Sequence, residues 1–302
     1  MARNVSDQHG RAFEYAITLV LSERDGATLT SRAQEDQARD RVRFDQLPQE
    51  LATHFMSGAR CVANHIHILV PPGTHTDRME IDRLPDVAGR ATNERNVSDI
   101  CLKFPNHVHL NLSIKNNHLA LKHQRPSSLM QQLGYPKGSP EDIAYRNGLQ
   151  GIYGNFYREA RDLSPDARKF CDLTVIQPNF IDEVLYAPVC GHVCQTLTRE
   201  LQTLQKCQQF FSFLIGKADF SKIVLRRKQV EVTRFSAIQS PTQCTVSQPD
   251  NSHISLDFNN GWLIALRLHT AASAMGKTTP SLKFDTQGIE VPLPTVIWNL
   301  RI

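Results

Sequence analysis

The sequence predicts an α/β fold in which helices flank a mixed, mainly antiparallel sheet and a β-rich region follows at the C-terminal end. Three patterns support this prediction. Apolar residues recur at helical spacing through the first 70 residues, and apolar and polar residues alternate between positions 98 and 115. After about residue 222, short runs rich in β-branched residues predominate. We therefore expect a core of residues 1–220 and a β-rich C-terminal region of residues 221–302.

Two helices are predicted near the N-terminal end. Residues 7–23 and 47–69 carry apolar side chains every three or four positions. Pro48 lies in the first turn of the second helix, where proline is tolerated, and the sequence Pro71-Pro72-Gly73 ends that helix. Residues 26–45 between the two helices are polar and charged, which fits either a helix with solvated faces or a loop.

Two alternating runs follow and predict an antiparallel hairpin. Residues 98–104 and 108–115 each alternate apolar and polar side chains, and Pro105-Asn106 between them is a turn signal. Asp99 lies near the start of the first run, and Lys115 lies near the end of the second. Because antiparallel pairing through a short turn brings these two ends together, we expect Asp99 and Lys115 to share one end of the hairpin.

The second half of the chain contains both kinds of periodicity. Residues 140–161 follow a helix-start signal, and residues 190–216 carry apolar side chains at helical spacing. Strand-like runs come next, at residues 223–225, 230–232, 254–258 and 262–268.

Composition excludes several classes of protein. The 302 residues are 40% hydrophobic and 21% charged, as in ordinary globular domains, and no run of 18 apolar residues predicts a membrane-spanning helix. The first residues lack the apolar core of a secretory signal, so the seven cysteines indicate reduced thiols in a cytoplasmic protein. A formal net charge of +4 permits nucleic-acid binding without requiring it, because a basic patch must be local to matter.

The predicted end of the hairpin suits phosphodiester chemistry. The Asp99 carboxylate can bind a hard divalent cation. The Lys115 ammonium can orient an attacking water or help to deprotonate it, and it can neutralise charge that develops on a phosphate. Each residue taken alone has a simpler explanation, since Asp99 fits a strand-end carboxylate and Lys115 fits an exposed lysine.

This arrangement resembles the core of the PD-(D/E)xK nuclease superfamily, in which an aspartate precedes a strand that carries acid-x-lysine. Here the tripeptide is Ser113-Ile114-Lys115, so serine stands at the position of the acid. Another acid is therefore expected to complete the metal site. Many members supply a glutamate from an N-terminal helix, which points to Glu14 in this chain, with Glu80 and Glu94 as alternatives.

Longer stretches are similar to a narrower group within that superfamily. The run from Leu112 to Leu129 resembles the corresponding part of the HaeIII-type type II restriction endonucleases. Residues 261–285 resemble the C-terminal part of the same group. The resemblance covers the N-terminal helix, about residues 83–135 and about residues 261–285, and it implies a restriction-endonuclease-like core.

The resemblance implies Mg²⁺-dependent cleavage of both strands of double-stranded DNA at a short sequence. Glu14 and Asp99 would bind Mg²⁺, Lys115 would position or activate the water, and Ser113 would occupy the vacated acid position, with a water between it and the metal. The implied partners are a second copy of the chain, since a palindromic target matches a homodimer, and a DNA methyltransferase with the same target. A GC-rich palindrome such as GGCC is the expected target.

Polar residues that leave the second strand of the hairpin are candidate DNA contacts. Amides suit adenine, and guanidinium or ammonium groups suit guanine, although both also bind phosphates. These candidates are Asn116, Asn117, His118, Lys122, His123, Gln124 and Arg125. A solvated polar loop is the alternative. In the C-terminal block, Arg267 and Lys283 are further candidates, and Lys283 could instead pair with Asp285 on a strand surface.

A cysteine-rich segment leaves a zinc site open. Cys190, His192 and Cys194 lie close together in the sequence, and Cys207 follows. The spacing matches no strong zinc signature, and a fourth ligand is not evident. Two cysteines four positions apart on an apolar helix face also fit small core residues.

Two other functions remain compatible with the sequence. One is a DNA repair or recombination nuclease that recognises DNA structure. The other is a sequence-specific DNA-binding protein whose nuclease centre is degenerate, an alternative that rests on serine at position 113.

Overall fold

The computed structural model describes residues 5–71, 73–74, 78–83, 98–117, 120–216, 218–292 and 295–302. The α-helices in these ranges are α1 (Val5–Asp25), α2 (Ser31–Asp45), α3 (Gln49–Leu69), α4 (Leu129–Gln132), α5 (Pro140–Leu163), α6 (Phe170–Ile176), α7 (Ala187–Glu200) and α8 (Leu204–Ile215). The strands are β1 (Thr28–Leu29), β2 (Glu80–Arg83), β3 (Ile100–Lys103), β4 (His109–Asn116), β5 (Lys122–Gln124), β6 (Phe220–Leu225), β7 (Gln229–Phe235), β8 (Cys244–Ser247), β9 (His253–Phe258), β10 (Trp262–Thr270), β11 (Leu282–Glu290) and β12 (Thr295–Arg301).

The strands form two sheets. The first has the order β1-β2-β3-β4-β6-β7-β12, with parallel pairing only between β1 and β2 and between β4 and β6. The second has the order β5-β11-β10-β9-β8 and is antiparallel throughout. The predicted α/β fold with a mixed, mainly antiparallel sheet is therefore confirmed. The predicted boundary at residue 220 stays a prediction, and each sheet contains strands from both sides of it.

The predicted hairpin is formed by β3 and β4. A short 3₁₀ turn at Pro105–His107 joins the strands, and the register pairs Ile100 with Leu112 and Lys103 with His109. On its other edge, β4 pairs in parallel with β6. The second strand of the hairpin thus lies in the interior of the first sheet, where strands on both sides fix its position.

The first core lies between one face of the first sheet and two long helices. Apolar side chains of α1 and α3 pack here against Leu110, Leu112 and Ile114 of β4. Because side chains alternate along a strand, Ser113 and Lys115 point to the opposite face of the sheet. This alternation separates the apolar core from the polar residues of the hairpin.

A second core lies between the helices α4–α8 and the second sheet. Phe211 of α8 packs edge-on against Phe258 and Trp262, with ring centroids 5.0 and 5.9 Å apart. Phe220 of β6 and Phe235 of β7 also belong to this core, where their rings stack with centroids 4.7 Å apart. The polar face of the first sheet therefore meets the second core where Phe220 of β6 pairs with Phe235 of β7.

The structure shows which of the regions with open or single-helix predictions are helical and where their helices begin. Residues 31–45 form a helix, whose start is capped by the Thr30 hydroxyl as it accepts a hydrogen bond from Ala33 N. The region predicted as one helix at 190–216 is divided, because Thr203 caps a new helix, α8. None of the helices in the described ranges is long and apolar enough to cross a membrane.

His65 of α3 connects this helix to the far edge of the first sheet. Its side chain is buried and packs edge-on against Trp298 of β12, with ring centroids 5.2 Å apart. Pairing of β12 with β7 brings the tryptophan to this helix, a contact between distant parts of the chain that helical periodicity does not reveal.

A buried arginine connects α1, α2 and β2. The Arg83 guanidinium is fully buried and donates from Nη2 to Asp40 of α2, at 2.9 Å, and to Glu14 of α1. Burial alone would raise the pKa of Asp40, but hydrogen bonds from Arg39 and the charge of Arg83 outweigh burial and hold that pKa below 3.8. The arginine therefore neutralises two carboxylates that come from two different helices.

Replacing Arg83 with Met should lower the free energy of unfolding by about 3–5 kcal/mol, because two buried carboxylates lose their shared cation. The matched control is Arg39→Met, which removes a half-exposed partner of Asp40 and should cost less than about 1 kcal/mol. Chemical denaturation at neutral pH measures both values. Equal stability of the two variants would contradict the role given to Arg83.

Candidate functional site

The open end of the hairpin holds Asp99 and Lys115 together. Asp99 N–H donates to the carbonyl of Leu112 at 2.8 Å, which extends the β3–β4 pairing by one residue. Its Oδ2 then accepts from Ile114 N at 2.7 Å and from the Lys115 ammonium at 3.3 Å. The aspartate side chain is 25% exposed and that of Lys115 is 17% exposed, so the pair borders solvent.

Glu14 of α1 lies beside this pair. Its side chain is buried, and Oε2 accepts hydrogen bonds from Arg83 and from Arg11, the latter at 3.2 Å. Burial and, to a smaller extent, the negative charge of Asp99 raise the pKa of Glu14 from 4.5 to about 7, although Arg83, Arg11 and Lys115 oppose the rise. The structure thus brings Glu14, Asp99 and Lys115 into one electrostatic cluster.

The alternative acids do not join this cluster in the described structure. Glu80 lies at the other end of β3, where its carboxylate accepts from the Lys103 ammonium at 3.1 Å. Glu94 lies outside the described residues. Of the two candidate acids within the described residues, Glu14 is the one whose carboxylate interacts electrostatically with that of Asp99.

Ser113 occupies a buried position on the same face of β4 as Lys115. Its hydroxyl oxygen has no hydrogen-bond partner among the described residues. An unsatisfied buried hydroxyl costs free energy, so its retention calls for an explanation. A water or an ion held next to Ser113 would supply the missing partner.

Lys222 is a residue of this site that sequence reasoning missed. It lies on β6 in register with Ser113, and its side chain is 8% exposed. Burial, together with the positive charges of Lys115 and Arg226, lowers the pKa of Lys222 from 10.5 to about 8, although Glu231 opposes this. A lysine inside the mainly apolar run Phe220–Leu225 was the signal that could have identified it.

The oxygen donors of the site fit a hard divalent cation. Mg²⁺ is commonly held by one or two carboxylates and keeps several waters, and Glu14 with Asp99 would supply two such carboxylates. Their mutual repulsion is the kind that a divalent charge relieves. Within the described ranges no group of three or more His, Cys, Asp or Glu could hold a metal ion, so water would complete the shell.

The first candidate DNA contacts follow directly after Lys115. Asn116 ends β4 and is partly buried, whereas Asn117 is exposed. Asn117 adopts a left-handed conformation, with φ of 51°, and its N–H donates to the carbonyl of Leu225 at 2.9 Å. Asparagine tolerates this conformation better than most residues. His118 lies outside the described residues.

Two candidates in the next strand, Lys122 and Gln124, are committed to contacts within the protein. The Lys122 ammonium donates to the carbonyl of Phe213 and lies 3.7 Å from the centre of the Phe213 ring. Gln124 is 5% exposed, and its Oε1 accepts from the Thr286 hydroxyl at 3.0 Å. Both side chains attach β5 to its neighbours, and their interpretation as DNA contacts stays a prediction.

The remaining candidates lie on or near the open face of the second sheet. Arg125 is exposed and reaches the Ser281 hydroxyl at 3.4 Å. His123 and Arg267 both contact the carboxylate of Asp285, and Lys283 lies in register with His269 on the adjacent strand. These side chains come from three neighbouring strands, although their positions in the sequence are far apart.

The cysteine cluster is better explained by packing than by zinc. Cys190 is fully buried in the second core, and burial raises the pKa of its thiol to about 12, whereas zinc binds the thiolate. His192 is engaged with Tyr145, since Nε2 lies 3.0 Å from the Tyr145 carbonyl oxygen and the rings stack at 4.8 Å. The alternative of small core residues is therefore favoured.

Comparison with known proteins gives one match. The family model described as HaeIII restriction endonuclease matches residues 10–241, which is more than half of the chain and includes Glu14, Asp99, Ser113 and Lys115. No curated protein and no solved structure matches the chain.

The raised pKa of Glu14 makes the stability of the protein depend on pH. The folded protein holds this proton up to about pH 7, whereas the unfolded chain releases it near pH 4.5. The resulting stabilisation is complete below the lower value and is lost as the pH rises through the higher one.

As the pH rises from 4.5 to about 7, the free energy of unfolding of the wild-type protein should therefore fall relative to that of Glu14→Gln, because the amide of the variant does not titrate. Denaturation in metal-free buffer at several pH values measures the difference. The exposed Glu23 lies on the same helix, and Glu23→Gln should keep the wild-type slope. Parallel curves for wild type and Glu14→Gln would rule out a proton on Glu14.

Proposed function

The chain belongs to the HaeIII restriction endonuclease family, which makes it a type II restriction endonuclease, and we propose that its reaction depends on Mg²⁺ and is carried by Glu14, Asp99 and Lys115. The observation that supports these roles best is the end of the hairpin. There Asp99 accepts hydrogen bonds from the backbone of Ile114 and from the Lys115 ammonium, next to the buried Glu14.

Each residue of the proposed site has a definite task. Glu14 and Asp99 hold the metal, which when bound makes water more acidic and stabilises the leaving oxygen. The Lys115 ammonium orients the attacking water and neutralises charge on the phosphate that is being cleaved. Ser113 lies two residues before Lys115 on the same face of β4, so its hydroxyl can hold a water beside the metal.

Contacts to double-stranded DNA are proposed for the polar residues that remain available around this site. Those next to the hairpin are Asn116, Asn117 and His118. Those on or near the second sheet are His123, Arg125, Arg267 and Lys283. Amides and guanidinium groups can read base edges, and all of these groups can bind phosphates.

The partners follow from the expected target. A palindromic site such as GGCC has two-fold symmetry, so we propose that two copies of the chain bind it together. A DNA methyltransferase with the same target would protect the host DNA, and the enzyme would work in the cytoplasm. The described helices fit this location in that none could cross a membrane.

A DNA-binding protein with a degenerate centre is the main alternative, because Ser113 lacks the carboxylate of the usual motif. Incubation of the purified protein with phage DNA, with and without Mg²⁺, separates the candidates. Discrete fragments that need Mg²⁺ support the proposed function. A smear supports a nuclease without sequence preference, and intact DNA with reduced gel mobility supports binding alone.

Glu14→Gln should lower the rate of DNA cleavage by roughly 10²–10³-fold or more, while DNA binding in calcium stays within about two-fold of the wild type. The loss follows because the amide carries no charge for the metal. Single-turnover cleavage and gel-shift titration measure the two quantities. Glu23→Gln on the exposed side of the same helix is the control and should cleave normally. Full activity of Glu14→Gln would remove Glu14 from the metal site.

A further inference from the structure

A buried carboxylate on the second sheet contacts one arginine and two histidines. Asp285 of β11 is 2% exposed. Its Oδ1 lies 2.7 Å from His123 Nδ1 and 2.9 Å from His269 Nε2, and its Oδ2 lies 3.3 Å from Arg267 Nη2. In contrast, the three partner side chains are between 28% and 48% exposed. Asp285 is thus covered by groups that themselves face solvent.

The strand register makes this cluster part of an ordered row. His123 of β5 pairs with Asp285 of β11, which pairs with Arg267 of β10. Their apolar neighbours along β10 and β11, among them Leu268 and Phe284, point into the second core. Because side chains alternate along a strand, the row lies on the opposite face of the sheet, which is the open one.

Two contacts orient the ring of His269. Nε2 lies 2.9 Å from the Asp285 carboxylate, and Nδ1 lies 3.0 Å from the carbonyl oxygen of Thr270. An ionised carboxylate only accepts hydrogen bonds, so Nε2 is the nitrogen that donates to Asp285. Burial alone would raise the pKa of Asp285, but the hydrogen bonds and charges of His123 and His269 hold that pKa well below its ordinary value.

Further residues near His269 on this face, together with Asp285 and its partners, form a patch with a positive character. Lys283 lies in register with His269 on β11, and His253 of β9 lies in register with Arg267. The Tyr186 hydroxyl accepts a hydrogen bond from Thr270 N–H at 2.9 Å. Arg267 and His269 thus contact the buried carboxylate of Asp285, Lys283 lies two positions before Asp285 on the same strand, and His253 contacts the carboxylate of Asp250 at 2.9 Å.

We propose that Asp285 is a positioning residue for DNA binding, which holds Arg267 and His269 on the open face of the second sheet against backbone phosphates of the duplex. The proposal rests on the proposed cleavage of DNA. A guanidinium has five N–H donors, and Asp285 receives one of those of Arg267. An oriented arginine loses less conformational entropy when it binds a phosphate than a free one does.

The row is within reach of DNA that is held at the hairpin. His123 follows Lys115 by eight positions, a stretch of chain that spans at most about 29 Å. Successive base pairs of a duplex are about 3.4 Å apart along its axis, so this span covers about eight to nine base pairs. The proposed phosphate contacts therefore flank the cleaved bond on the same duplex.

Two explanations of how the patch binds DNA predict opposite effects of Asp285→Asn on the affinity for DNA. If the patch acted only through its net charge, removal of a negative charge would strengthen binding to DNA. If Asp285 positions its partners, the variant replaces one carboxylate oxygen with an NH₂ group, so that Arg267 or a histidine loses its acceptor, and binding weakens. The matched control is Asp257→Asn on β9, which removes an exposed negative charge from the same face of the sheet.

The test is titration of a 30-base-pair duplex of mixed sequence with each protein in calcium buffer, at several salt concentrations. Asp285→Asn should bind at least about ten-fold more weakly, and the slope of log K against log salt should decrease by about one to two, at roughly 0.9 for each lost phosphate contact. Asp257→Asn should bind as tightly as the wild type or slightly more tightly. Equal affinity and slope for Asp285→Asn and Asp257→Asn would overturn the proposal.

Two further measurements keep the result decisive. Nitrogen-15 NMR of the imidazoles should show that His269 Nε2 donates a hydrogen bond to the Asp285 carboxylate in the wild type, and a ring without that hydrogen bond would overturn the proposal. If Asp285→Asn fails to fold, Arg267→Gln serves instead and should lower the salt slope by about one. An unchanged slope would overturn the proposal, even where the wild type still cleaves DNA. Absence of any DNA binding by the wild type would overturn the proposed function as well.

Discussion

The position of the site depends on one buried guanidinium. Arg83 of β2 contacts both Asp40 of α2 and Glu14 of α1, and it is the fully buried cation that these two buried carboxylates share. Because β2 also pairs with β3, in the register Arg83 with Ile100, the same arginine sets α1 against the strand that begins next to Asp99. Glu14 thereby reaches the end of the hairpin from a helix more than 80 residues away in sequence.

This arrangement also places Glu14 between two kinds of partner. Arg83 and Arg11 donate hydrogen bonds to the Glu14 carboxylate, while the nearby negative charge of Asp99 disfavours the ionised form of Glu14. A divalent cation would relieve the repulsion between the carboxylates and leave Arg83 with Asp40. The buried, unpaired hydroxyl of Ser113 on the adjoining face is consistent with a site that is completed by a bound group.

The local part of this structure could be predicted from the sequence, and the long-range part could not. Alternation of apolar and polar residues identified the hairpin, and chain geometry then placed Asp99 beside Lys115. Nothing local predicts that Arg83 reaches Asp40, or that β4 pairs in parallel with β6 and sets Lys222 beside Ser113. Residue type also did not distinguish DNA contacts from structural ones. Gln124 is polar but buried, because its acceptor is satisfied by Thr286 on another strand.

We propose that Glu14 and Asp99 together bind the catalytic metal beside Lys115. Crystals grown with Mn²⁺ and measured at the manganese absorption edge would locate the ion by anomalous scattering, without assumptions about activity. We expect one strong peak within about 2–2.5 Å of carboxylate oxygens from both residues, with Lys115 adjacent. A peak bound elsewhere, with Glu14 still hydrogen-bonded to Arg83 and remote from the ion, would contradict it.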